Sequence, residues 1–156
     1  MNKLHIPPLD EQAAKTALEH QKILAKPPLA LGKLEPVAIR IAGMTGNPAP
    51  RLKDKAIVLF AADHHIADHG LSLTSTDVTY IQTRNFLQGG GTINAFTRNA
   101  GARLSVVDVG VNYDFGDLPG LVKRKVMHGA NDFSRGPAMT REQALKCLQV
   151  GIDMAR

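Results

Sequence analysis

Asp63, His64, His65, Asp68 and His69 set five ionisable or metal-competent side chains within seven residues, directly after an apolar run at 56–60. In open α/β sheets, ligands occupy the crevice beyond the carboxyl ends of the strands, so a polar cluster following a buried strand is a candidate site. Two chemistries fit these residue types. Neutral imidazoles and carboxylates are good ligands for zinc, manganese or iron. Alternatively, one or two of them hydrogen-bond the backbone and shape a substrate loop. Successive side chains in a strand-to-loop segment point apart, which works against five converging ligands. Thr74 and Gln82, eight residues apart on a loop and the helix after it, each carry groups that hydrogen-bond a heterocycle nitrogen. The chemistry is expected near residues 63–82.

Two other features compete for attention. Gly89-Gly90-Gly91-Thr92 precedes a helix, where backbone amides can meet a phosphate. It lacks both the Gly-x-Gly-x-x-Gly spacing after a strand and the Lys-Ser/Thr of a P-loop, so a tight turn with close helix packing is the competing reading. Asp108, in Asp108-Val109-Gly110 at a strand end, resembles an acid that grips a ribose, and equally an acid that caps or braces a loop.

Periodicity supplies the elements that must position these groups. Residues 9–24 read as a helix with Ala13, Ala14, Ala17 and Leu18 on one face, stopped by Lys26-Pro27-Pro28. A second helix is expected over 34–42, and the turn formers of 43–50 mark an internal boundary. Residues 55–62 and 104–109 are apolar on both faces, as in a parallel sheet covered by helices. Between them lie helices at 76–87, capped by Thr76, and 92–99, giving a βαβ crossover. Residues 122–127 suggest a third strand. Thr140 and Gln143 form a capping box for a helix running to Arg156. The fold class is therefore α/β, a parallel sheet with an N-terminal helical segment. With only two or three strands that sheet is incomplete, and the chain is expected to be the N-terminal part of a longer fold.

Composition narrows the classes. The chain has 156 residues with 44% hydrophobic and 21% charged, room for one globular domain. Its 4% aromatic content without Trp leaves few stacking platforms for nucleic acid, and its single Cys147 excludes an internal disulfide and a cysteine-based zinc site. The net charge of +5 is scattered, densest at Lys123-Arg124-Lys125, which reads as a solvated edge or an attractor of small anions. No apolar run approaches the ~20 residues of a membrane span and no signal peptide is visible, so the expectation is a cytoplasmic protein with no nucleic-acid or membrane partner.

Several segments, taken in order, resemble one family, the nicotinate-nucleotide–dimethylbenzimidazole phosphoribosyltransferases of cobalamin assembly. They are Lys26-Pro27-Pro28-Leu29-Ala30-Leu31-Gly32-Lys33-Leu34-Glu35, Ile41-Ala42-Gly43-Met44, Ala62-Asp63-His64, Ile81-Gln82 and Gly89-Gly90-Gly91-Thr92-Ile93-Asn94. The series continues with Ala100-Gly101-Ala102-Arg103, Val107-Asp108-Val109-Gly110-Val111 and Gly136-Pro137-Ala138-Met139-Thr140. The resemblance implies transfer of the phosphoribosyl group of nicotinate mononucleotide to 5,6-dimethylbenzimidazole, giving α-ribazole phosphate and nicotinate. It also implies a homodimer, no metal and no cofactor. Residues 1–43 would belong to a small helical domain built from both chain ends, and 51–156 to the N-terminal part of the Rossmann-like domain.

By position, Gln82 matches the family glutamine lining the benzimidazole site, Thr74 falls where a serine usually stands, and Asp63 and His64 match an Ala-Asp-His-Gly turn. This chain departs from the pattern at His65, which replaces the glycine, at His69, where an acid is common, and at Leu29-Ala30, in place of Gly-Ser. A positive φ inherited at His65 would be strained. The family's general-base glutamate, in a Gly-Glu-Gly-type motif, is expected beyond residue 156, so no catalytic residue is assigned here and the chain is expected to be inactive alone. Asp63-His64-His65 also resembles the phosphoesterases named for Asp-His-His, in which acids and histidines hold manganese, but further acidic motifs on earlier strands are missing. That metal-dependent enzyme, and a non-catalytic azole-binding subunit, are the alternatives.

Overall fold

The computed structural model describes residues 5–75 and 77–156, which divide between Lys53 and Asp54 into two compact units. The first holds helices α1 (Glu11–Ile23) and α2 (Leu34–Thr45). Asp10 caps α1 by accepting from the Ala13 amide at 2.9 Å, satisfying one of the helix's orphan donors. Small residues let the two helices close on each other. Ala13, Ala17 and Ala42 are buried, and a Cβ on Gly43 would lie 3.3 Å from the Asp10 carbonyl oxygen. This explains why α2 outruns the expected 34–42. Gly43 is a helical residue at a close crossing, and Gly46, at φ 63°, is the stop.

Between the helices, the buried Glu35 carboxylate takes Lys26 Nζ at 2.7 Å and the Leu31 amide at 3.2 Å. The loop so held contains Leu29 at φ 61°, the one non-glycine with positive φ among the described residues. The strain anticipated at His65 therefore falls at Leu29 instead. A branched side chain in that region costs about 1–2 kcal/mol, and Leu29 recovers little of it, being 76% exposed.

The second unit carries β1 (Lys55–Ala62), a one-turn 3₁₀ helix (His65–His69), α3 (Val78–Leu87) and α4 (Thr92–Ala100). It continues with β2 (Ala102–Gly110), β3 (Leu121–Lys123) and α5 (Arg141–Met154). The three strands form a parallel sheet in the order β1-β2-β3, with Phe60 opposite Val107 and Val106 opposite Leu121. Val106, Val107 and Val111 make its buried centre, with Thr83 of α3 and Thr97 of α4 buried beside it. The capping box of α5 forms as expected, Thr140 and Gln143 exchanging side-chain-to-amide bonds of 3.2 and 2.8 Å. The Thr76 cap expected for α3 lies outside the described residues.

One irregularity shapes the end of the sheet. The pairing runs Ala61 to Asp108 and then Ala62 to Gly110, leaving Val109 as an extra residue. Such a bulge re-aims the strand next to a site. It also explains why β3 stops at Lys123 short of 127. The following chain stays beside β2 through Arg124 N to Asp108 O (2.9 Å) and Val126 N to Val109 O (3.0 Å), without a regular ladder. An apolar groove of about 550 Å³, walled by Phe60, Val109, Met127, Met139 and Leu148, opens toward α5.

Candidate functional site

The carboxyl ends of β1 and β2 are stitched to the segments that follow them. Asp63 N donates to Gly110 O (3.0 Å), Ala130 N to Asp63 O (2.8 Å) and His65 N to Ala130 O (2.9 Å). Asp63 Oδ2 accepts from the Asn112 amide at 2.7 Å, fixing the turn after β2 to the turn after β1. Below it the buried Asp108 accepts from Gly110 N (3.1 Å) and Val111 N (2.9 Å) through Oδ1 and meets Lys125 Nζ at 2.9 Å through Oδ2. Lys125 also donates to the Val111 and Tyr113 carbonyls. Asp108 is thus a brace. Lys125, which reads in the sequence as part of a solvated basic run, is turned inward by it.

Above this frame lies a cavity of about 290 Å³ bounded by the 3₁₀ turn, the loop before α3 and the first turn of α3. Asp63, His64 and Thr74 all line it. Gln82 does not. It stands one turn farther along α3, on a shallower groove that shares Ala62, Val78 and Thr79 with the cavity, and accepts from Asn85 Nδ2 at 3.3 Å. Asn112, Ser75 and Thr79 also line the cavity and were not singled out from the sequence. The rule of carboxyl strand ends reaches Asn112, two residues past β2. Thr79 becomes legible only once the helix face is known.

The histidine–aspartate cluster does not converge. His65 Nδ1 donates to Asp68 Oδ2 (2.9 Å), His69 Nε2 donates to Asp132 Oδ2 (2.7 Å), and Asp63 is committed to Asn112. Among the described residues no three His, Cys, Asp or Glu side chains are grouped to hold a metal ion. The two histidines instead clasp the 3₁₀ turn. His65 packs over Gly129, where a Cβ would lie 3.0 Å from Nε2, and Asp132 also takes Ser134 Oγ and Arg135 Nε.

This clasp predicts a pH window. The hydrogen bond to Asp68, against some desolvation, raises the His65 pKa above its ordinary 6.5. Its contribution is present below 6.5 and is lost as pH rises through the raised value. The His69 and Ser134 hydrogen bonds lower Asp132 from 3.8 to about 2, so its contribution is present above 3.8 and lost as pH falls through about 2. Both hold between 3.8 and 6.5. Hydrogen-exchange protection of the Ala130 amide is expected to be greatest in that window and to fall as pH rises through the raised His65 value. In His65→Gln that decline disappears. A flat profile in the parent protein would refute the clasp.

Residues 6–156 match a family model described as phosphoribosyltransferase. The nicotinate-nucleotide–dimethylbenzimidazole phosphoribosyltransferase of Chloroflexus aggregans is 47% identical over 97% of this chain and 43% of its own length. The same-named protein of Geobacter sulfurreducens is 46% identical over 95% and 42%. A crystal structure of CobT from Thermus thermophilus superposes with a TM-score of 0.86 at 42% identity, covering 93% of this chain and 44% of that one. The chain spans less than half the length of the relatives it matches.

Proposed function

This chain belongs to the phosphoribosyltransferase family, and on that premise we propose that it supplies the base-binding wall of an enzyme that moves a phosphoribosyl group from nicotinate mononucleotide to a benzimidazole-type azole. The observation carrying the proposal is the cavity at the carboxyl ends of β1 and β2, lined by Asp63, His64 and Thr74. In this reaction an azole nitrogen attacks the anomeric carbon as the bond to the pyridinium nitrogen breaks. Nicotinate leaves with the electron pair, and a carboxylate takes the azole proton. Holding the ring in line with the anomeric carbon is the part a rigid wall contributes. Gln82, one turn out along α3, would meet a base that extends past the cavity mouth. The general base is assigned to polypeptide corresponding to the relatives' unmatched length.

Residues 1–43 are taken as part of a small helical domain and 51–156 as the first part of the Rossmann-like domain. A homodimer in the cytoplasm completes the reading. No helix among the described residues is long and apolar enough to cross a membrane. The test has two arms. The chain alone, given nicotinate mononucleotide and 5,6-dimethylbenzimidazole, is expected to release no nicotinate above background while binding an azole saturably in calorimetry. Robust turnover would overturn the placement of the base, and no azole binding would overturn the site.

A further inference from the structure

We propose that the free edge of β1 is a docking line for the polypeptide corresponding to the relatives' unmatched length, one strand of which adds parallel to β1 without needing a covalent link to this chain. β1 has the sequence of an interior strand in the position of an edge. It pairs with β2 and with no other strand among the described residues. Its residues 56–62 are apolar without a break. Strands apolar on both faces belong inside parallel sheets, whereas natural edges carry lysine, proline, a bulge or very few residues. β1 runs for eight residues, of which only Ala61 is buried.

The surfaces beside that edge are open as well. Phe60, 46% exposed, lines two grooves at once. The groove of about 550 Å³ runs toward α5, where Leu148 remains 56% exposed. The other, of about 310 Å³, is walled by Leu59, Val78 and Phe86 and runs toward α3. A strand laid along β1 covers both. The far edge of the sheet competes poorly, because β3 has three residues and so short an edge limits further pairing.

The occupant follows from topology and length. Doubly wound sheets return after their third strand to the outer side of the first, in the order 3-2-1-4. The Chloroflexus aggregans relative, at 47% identity, is matched over 43% of its length and so carries polypeptide for further strands. A second copy of this chain would offer only its own β1, antiparallel about a two-fold axis. The parallel order of all three strands favours the first occupant.

The experiment has two measurements. In this chain alone, the β1 amides that point away from β2 are expected to exchange hydrogen fast at every protein concentration, alternating with slow ones bonded to β2. Uniform protection, or protection that grows with concentration as a second copy covers the edge, overturns the proposal. The chain is then co-expressed with the unmatched segment of the Chloroflexus aggregans relative. A one-to-one complex is expected in native mass spectrometry, with the fast β1 amides slowed by about tenfold or more. Phe60→Lys is expected to abolish it, while Phe96→Lys, at a 66% exposed aromatic on α4, leaves it intact. No complex, a footprint that spares residues 55–62, or equal effects of the two lysines overturns the proposal. The complex is also expected to release nicotinate, which rests on the general base lying where the reading above puts it. A complex with the β1 footprint and no turnover leaves the docking standing and removes that reading.

Discussion

Asp108→Ala is expected to lower the unfolding free energy by about 3–5 kcal/mol, the range for breaking a buried, hydrogen-bonded ion pair by removing one partner. The Asp108 side chain is 3% exposed and holds three groups at once, the Gly110 and Val111 amides and the Lys125 ammonium. Its loss strands two amides at the sheet's end and leaves Lys125, 21% exposed, without its counter-charge. Denaturation in urea measures the change. Asp108→Asn retains an acceptor for the amides and is expected to cost about half as much. Lys125→Met leaves the carboxylate buried and uncompensated, so the double variant Asp108→Asn/Lys125→Met should fall well short of the summed single effects. Additive effects, or an alanine cost under about 1 kcal/mol, would contradict the brace. Because the same network carries the turn that presents Asn112 to Asp63, azole binding should weaken in Asp108→Ala even at temperatures where the protein remains folded.

Gly91→Ala is the second large effect, about 1–3 kcal/mol of destabilisation from overpacking. A Cβ at Gly91 would lie 2.4 and 2.6 Å from Phe86 Cδ1 and Cε1. The φ of −81° is one any residue adopts, so the penalty is contact and not backbone strain. The two backbones cannot part cheaply, since Asn94 ties them by accepting the Gly91 amide (3.0 Å) and donating to Phe86 O (2.8 Å), so relief has to come from moving the ring. Thermal unfolding of Gly91→Ala should therefore move down by several degrees. Gly90→Ala is the comparison. Its Cβ would meet the movable end of Asn85, and its cost should be smaller. Equal costs would argue against the Phe86 contact as the cause. The same geometry favours the packing reading of the glycine triplet, because the Gly91 amide at the N-cap of α4 is already taken by Asn94 and contact with Phe86 accounts for Gly91.

How much of this was legible beforehand varied by the range of the interaction. The α5 capping box, the α1 stop at Lys26-Pro27-Pro28 and the two buried strands depend on residues a few positions apart. The sequence carries them openly. The three-residue β3 and the prolonged α2 were misjudged in length because a bulge at Val109 and a helix crossing at Gly43 decided them, and neither has a local signature. At the site, the cluster after β1 was visible as a set of residue types at the strand's carboxyl end, where the structure places a cavity. Its partners were not visible. Asp63 reaches Asn112 across 49 residues and His69 reaches Asp132 across 63.

By itself, then, the chain's order of residues determined the parallel α/β class, the helices' limits to within a few positions, and the gathering of polar groups directly after β1. Tertiary structure alone decided what the charged groups there do. It spread the acids and histidines over separate partners instead of converging them on a metal, and it turned Asp108 and Lys125 into a buried brace. It also moved the strained residue from His65 to Leu29 and set Gln82 one turn outside the cavity. The physical reason is that periodicity and capping are written in neighbours. A hydrogen bond's partner depends on which distant backbone the sheet register brings within about 3 Å.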